Sequence, residues 1–451
     1  NSILLTNGST LTINKDSAEL KQMQITGKIN VAGEGTSLRA NMTGDSSIKG
    51  SSSTVAIEAS NGGSVELHMS GVNSSITGDV NAITGTGSSI FLNLSEAHQE
   101  GNLKAEGNNT LNAVYSGRNS SLTGTADNKG IMNLSFGNQS ALSGDILNGV
   151  KVYEDNASQS SFAGQLTANF DQSSWNGNLS NQGGTAGITL DRGSLWTGNL
   201  DNRGGTSGVT LSGGGTWTGN LSNQGGTADV TLHRGSVWTG KSSMSGADSV
   251  TNVSVNEGST WKVTADSDVS TLKLSGGTVD LEGAAQQIKI GHLSADGTPG
   301  TFRMDLTYHD NQCSTYETAK DSDFLYVGGG TGHTFRVEAT ENSSINGMRD
   351  GDKLYFARTA RGVASFDVNQ EVLIRNWDKI YNKALRVETE AASVTEAKAK
   401  KDAPSLTVTG AKADTAAPSG SVIGTSADTA APSGSVTGTS ADTAAPSGAM
   451  A

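Results

Sequence analysis

GGTAGITLDRGSLWTGNLDNR (residues 183–203) is followed by GGTSGVTLSGGGTWTGNLSNQ (204–224) and GGTADVTLHRGSVWTGKSSMS (225–245), one 21-residue unit written three times. Each copy carries one tryptophan at the same place. Trp175, Trp196, Trp217 and Trp238 are 21 residues apart, and Trp261 follows after 23. Looser copies come earlier: NSSITGDV (73–80), NSSLTGTA (119–126), QSALSGDI (139–146) and SSFAGQL (160–166). The aligned position reads Ile76, Leu122, Leu142, Phe162, Trp175, Trp196, Trp217, Trp238, Trp261. A ligand platform would need a flat ring in every copy, whereas a core needs apolar volume. A position that accepts Ile, Leu, Phe and Trp therefore faces inward.

Side chains two apart along a strand share a face. Trp196, Gly198 and Leu200 are expected on one face, as are Trp217, Gly219 and Leu221, with the glycine making room beside the indole. Ile188 with Leu190, Val209 with Leu211, and Val230 with Leu232 repeat the pattern on the next strand. Units of about 20 residues with short strands and Gly/Asn turns predict an all-β fold, a right-handed parallel β-helix. The β-helix is expected over residues 1–289, and residues 1 to about 300 give roughly 14 coils, about 70 Å long at one strand spacing per coil.

The composition agrees. Of 451 residues 59 are Gly, only 17% are charged and 5% are aromatic, which suits many short strands joined by tight turns. A net charge of −13 without a basic patch argues against nucleic acid. No apolar run is long enough for a membrane helix. A chain that starts at Asn1 fits a processed N-terminus. Cys313 is the sole cysteine, which excludes an intrachain disulfide.

Three polar stretches read as loops extruded from the coils: 95–110, 147–160 and 303–323. Aromatics and charge return over 290–391, in GTFRMDLTY, DSDFLYVGGGTGHTFRVEA and GDKLYFARTARGVASFDV. Gly300, Thr301 and Phe302, then Ser322, Asp323 and Leu325, then Phe366, resemble the C-terminal cap of AIDA- and pertactin-like autotransporter passengers. The resemblance implies a β cap that closes the β-helix and seeds folding at the surface of a Gram-negative bacterium. It also implies a membrane β-barrel beyond this chain. Residues 392–451 hold four of the five prolines, no aromatic residue, and ADTAAPSG at 413, 427 and 441. That composition cannot bury a core and reads as a spacer.

Chemistry is poorly supported. GDSSIKG (44–50) lacks the glycine that follows the serine in the protease motif of some passengers, and a turn explains it better. The six histidines show no HExxH or i,i+4 pairing, so no metal or cofactor is expected. The GGG runs at 213–215 and 328–330 lack a following Lys-Ser/Thr and read as turns, as does MRDGDK (348–353).

The expected function is therefore that of a non-enzymatic surface adhesin. The resemblance implies a host extracellular-matrix ligand, fibronectin or a glycan such as a glycosaminoglycan. The alternative is self-association that drives bacterial aggregation and biofilm. Candidate surface ladders are Asn181, Asp191, Asp201, Asn202, Arg203 and Asn223; candidate loop anchors are Glu96, His98, Lys104, Tyr153, Glu154 and Asp155.

Overall fold

The computed structural model describes residues 3–14, 22–50, 55–149, 163–281, 283–308, 322–344, 353–360, 362–368 and 384–390. Among them the chain is all β, and every pairing between its strands is parallel. It is a parallel β-solenoid with three sheets, each made of one strand per coil. The long-strand sheet contains Gln165–Asp171, Thr185–Asp191 and Thr206–Leu211, stacked in register. The tryptophan sheet contains Ser174–Asn176, Leu195–Thr197 and Thr216–Thr218. The asparagine sheet contains Leu179–Gln182, Leu200–Arg203 and Leu221–Gln224. Among the described residues twelve coils reach the tryptophan sheet before residue 300, from Gln24–Thr26 to Thr278–Asp280, rather than roughly 14. The early coils run longer than 20 residues, because Ser47 pairs with Ser75 and His98 with Ser121.

The core runs unbroken along the solenoid. Trp175, Trp196, Trp217, Trp238 and Trp261 are all buried. They stack face to face, with centroids 4.4 to 4.8 Å apart and rings within 6° of parallel. The column does not begin with tryptophan. Tyr115, Phe136 and Phe170 stack at 4.8 and 5.0 Å on the long-strand sheet, and Phe170 meets Trp175 at 5.5 Å. Where the long-strand sheet holds Tyr115 or Phe136, the tryptophan sheet holds Leu122 or Leu142; where it holds Trp196, Trp217 or Trp238, the long-strand sheet holds Leu190, Leu211 or Leu232. Outside the switch coil, each of these cross-sections fits one large ring. Close packing explains the exchange, since two rings would overfill a coil and none would leave a void.

The structure corrects two expectations here. Leu142 pairs directly with Trp175 as consecutive rungs, and Phe162 lies outside the described residues. The step from Leu142 to Trp175 is 33 residues, so the 13-residue spacing from Phe162 is not a coil repeat. Gly198 is not beside Trp196 on a strand. It forms the corner between the tryptophan and asparagine sheets with φ of 154°, and a Cβ there would overlap the Gly177 carbonyl. That carbonyl accepts a 2.9 Å hydrogen bond from the Trp196 indole N–H, and Gly198 O serves Trp217 in the same way. The glycine lets successive corners approach closely enough for the buried indole to find its partner.

The stretch 95–110, expected to be an excursion, is regular solenoid. Ala97, Gln99, Leu103 and Ala105 alternate inward, His98–Glu100 pairs with Ser121–Thr123, and Leu103–Glu106 pairs with Ala126–Lys129. Its alternation had been masked by short and polar inward residues. The strands Gln287–Ser294, Phe324–Gly330 and Lys353–Ala360 continue the parallel pairing into the last coils. Phe302 and Leu325 are fully buried there. Asp323 accepts from Gln286 N at 2.8 Å and Asp305 N at 2.6 Å, tying consecutive segments together. Burial pushes its carboxyl up to about 8, and the Asp305 and Asp280 charges add to the rise.

Candidate functional site

Among the described residues no group of three or more His, Cys, Asp or Glu is placed to hold a metal ion. Ser46 of the GDSS stretch is buried in a turn, where its hydroxyl donates to Thr43 O at 3.0 Å. The surfaces that remain are the outward sides of the three sheets.

The expected asparagine ladder is real but internal. Asn181, Asn202 and Asn223 are completely buried. Asn128, Asn148, Asn181, Asn202 and Asn223 form a chain in which each Nδ2 donates to the next Oδ1 at 2.7 to 2.9 Å. Asn202 Nδ2 also reaches Gly205 O at 2.9 Å, and Asn202 Oδ1 accepts from Ser207 Oγ at 2.9 Å. These amides satisfy the backbone at the corner and cannot meet a ligand. Asparagine is usually exposed, which is why the sequence alone points these residues outward. Asn202→Ala should lower stability by about 2–4 kcal/mol, since it strands several buried polar groups at once; a two-state denaturant titration checks this, and an unchanged midpoint would contradict it.

The other candidates scatter over different surfaces. Asp201 pairs with Arg203 at 2.7 Å and Lys104 with Glu106 at 2.7 Å, both on the outward side of the asparagine sheet. The Glu106 carboxylate beside it raises the Lys104 ammonium above its ordinary range. That side carries further ion pairs, Lys28–Glu58 and Lys129–Asp127. Glu96 sits at a corner with φ of 55°, and its carboxylate accepts from Asn119 N at 3.2 Å. His98 is exposed on the tryptophan sheet and shares a 2.9 Å hydrogen bond with Ser121 Oγ. Asp191 ends a long strand beside the Arg192–Asp171 ion pair. Tyr153, Glu154 and Asp155 lie outside the described residues. The structure brings none of these into one site beyond the neighbouring pairs.

The long-strand sheet presents a surface that sequence reasoning had not singled out. Three outward rows begin at Ser89, Phe91 and Asn93 and run coil by coil to Thr206, Gly208 and Thr210. Across those six coils no Asp, Glu, Lys, Arg or His occupies the rows. They hold Thr, Ser, Asn and Gln, with Val114 and Ile131 as aliphatic steps and Gly187 and Gly208 as a shallow trough. Asn133 Nδ2 donates to Asn112 Oδ1 at 2.7 Å, repeating the amide ladder outside. Charge returns at both ends and along the adjoining row at the strand ends, where Asp171 and Asp191 stand in register. Glu66, bonded to His68 and Arg39 and held below the usual carboxylate range by them, lies in the preceding coil; Asp229, bonded to Asn252 at 2.8 Å, lies in the following one. The signal was readable as every second residue of 89–93, 110–114, 131–135, 165–169, 185–189 and 206–210, once the register was known.

No family model matches the chain, and no curated protein matches it in sequence. Among solved structures it is similar to the autotransporter UpaB from E. coli strain CFT073, at 16% identity and a TM-score of 0.32, over 86% of this chain and 89% of that one.

Proposed function

We propose that this chain is the passenger of a Gram-negative autotransporter, exported to the cell surface, where it acts as a non-enzymatic adhesin for host extracellular-matrix ligands. The observation that carries this reading is the repetition of outward polar rows over many coils. A solenoid offers the same chemistry at every strand spacing, which suits an extended polymer better than a compact substrate. The resemblance of Gly300–Phe302, Ser322, Asp323, Leu325 and Phe366 to a passenger cap supports the export route. Fibronectin and glycans, glycosaminoglycans among them, are the ligand classes that this reading brings forward.

The test is binding of the purified full chain to immobilised fibronectin, collagen and glycosaminoglycans, with sedimentation velocity on the same sample. Saturable binding by a monomer is expected. Concentration-dependent dimers with no binding would move the function to self-association between bacteria.

A further inference from the structure

The ligand class can be narrowed from the surface itself. The chain carries a net charge of −13, yet the three outward rows from Ser89–Asn93 to Thr206–Thr210 hold no ionisable side chain. A polyanion would meet the repulsion of the whole chain and no cation on these rows. A polypeptide partner would bring charges for which the rows have no complement. An uncharged chain of hydroxyl groups has neither difficulty. Asn and Gln amides offer a donor and an acceptor each, and Thr and Ser hydroxyls serve as both.

A second observation points the same way. Among the described residues before Pro299, Phe91 is the sole Phe, Tyr or Trp that is not buried. It stands on the middle row, its ring 5.6 Å from that of His68. An aromatic face set among amides and hydroxyls can take the C–H face of a sugar ring while the polar rows take its hydroxyls. The tryptophan sheet is also uncharged from Ser121–Thr123 to Val237–Thr239, but its strands are three residues long and present no aromatic ring.

We infer that the three uncharged outward rows of the long-strand sheet, from Phe91 to the Gly187–Gly208 trough, are a docking track for an uncharged, extended polysaccharide. Phe91 stacks on one sugar, and the Asn112–Asn133 pair and the Thr185 and Thr189 rows hydrogen-bond those that follow. This rests on the adhesin reading and, among the ligands that reading brings forward, selects neutral glycans over glycosaminoglycans and fibronectin.

The test is titration calorimetry of the full chain against galactomannan, xyloglucan and a soluble β-1,3-glucan, with heparin and chondroitin sulfate alongside. Binding of at least one neutral polymer is expected, with an affinity that does not change between about 0.05 and 0.5 M salt. Phe91→Ala should weaken it by about tenfold, the loss of one stacked ring. Asn133→Asp, on an exposed position, should weaken it comparably without changing the melting temperature. Thr218→Asp on the tryptophan sheet should leave it unaltered. Binding to heparin or chondroitin sulfate with none to the neutral polymers would overturn the track and leave the adhesin reading standing. Neutral binding lost in Thr218→Asp but retained in the two track variants would also overturn it. So would a track variant that alters sedimentation rather than glycan binding, which would assign the face to a second copy of the chain. Failure to bind any polymer or matrix protein would remove both readings.

Discussion

Trp217→Asp is expected to abolish the cooperative melting of the central coils. Trp217 is fully buried, stacked on Trp196 at 4.7 Å and Trp238 at 4.8 Å, and bonded through its indole N–H to Gly198 O at 2.9 Å. Aspartate removes the packing of a whole indole, breaks the column, and leaves a carboxylate with no counter-charge in an apolar interior. The first term alone costs about 3–5 kcal/mol, and an unpaired buried charge adds a comparable amount. That sum rivals the total stability of an ordinary domain. In a solenoid each coil is supported mainly by its neighbours, so a break at one rung separates the coils above from those below. Thermal denaturation followed by circular dichroism checks this, with Thr218→Asp as the matched control. Thr218 is the next residue, faces outward and should tolerate the same charge to within about 0.5 kcal/mol. A wild-type transition in Trp217→Asp would place the ring outside.

Gly219→Ala should be nearly as damaging, although it adds one methyl group. Gly219 has φ of 156°, and a Cβ there would overlap the carbonyl of Gly198 in the coil below. Backbone cannot swing aside as a flexible side chain can. The corner must open, and the 2.9 Å bond between the Trp238 indole and Gly219 O, together with that between Trp217 and Gly198 O, lengthens with it. Strained backbone and two weakened buried hydrogen bonds together cost about 3–5 kcal/mol. Gly208→Ala is the contrast, because that glycine lies on the outward trough and a Cβ there meets nothing within 4 Å. Denaturant midpoints of the two variants should differ accordingly; equal midpoints would show that the corner glycines are not packed against one another.

The sequence made the repeat and its inward face legible because Trp recurs at constant spacing and Ile or Leu replaces it in sister copies. The hand-over of the ring from Tyr115, Phe136 and Phe170 to the tryptophans was not legible, because it exchanges volume between two sheets of one coil and shows up in neither row alone. Gly198 does make room for the indole, but at a corner, and a period of two along a strand carries no information about corners. The buried asparagines misled because their polarity suggests surface, whereas here the amide is the internal partner of the corner backbone. Lys104 and Arg203 each lie beside an opposite charge on their own strand, a pairing that sequence position alone does not reveal. The neutral rows were invisible because they consist of unremarkable residues whose meaning comes from stacking.

The proposed recognition by outward rows requires that the tryptophans be unavailable to any ligand, and the most direct test is acrylamide quenching of tryptophan fluorescence in a Trp377→Phe variant of the full chain. Trp377 lies outside the described residues, so its replacement leaves the five stacked rings as the sole indole emitters. Emission that stays blue-shifted and resists the quencher until the protein is unfolded is the expected result. Water-exposed emission quenched efficiently in the native protein would put the indoles on the surface, make them the ligand platform, and contradict both the core and the docking face built here.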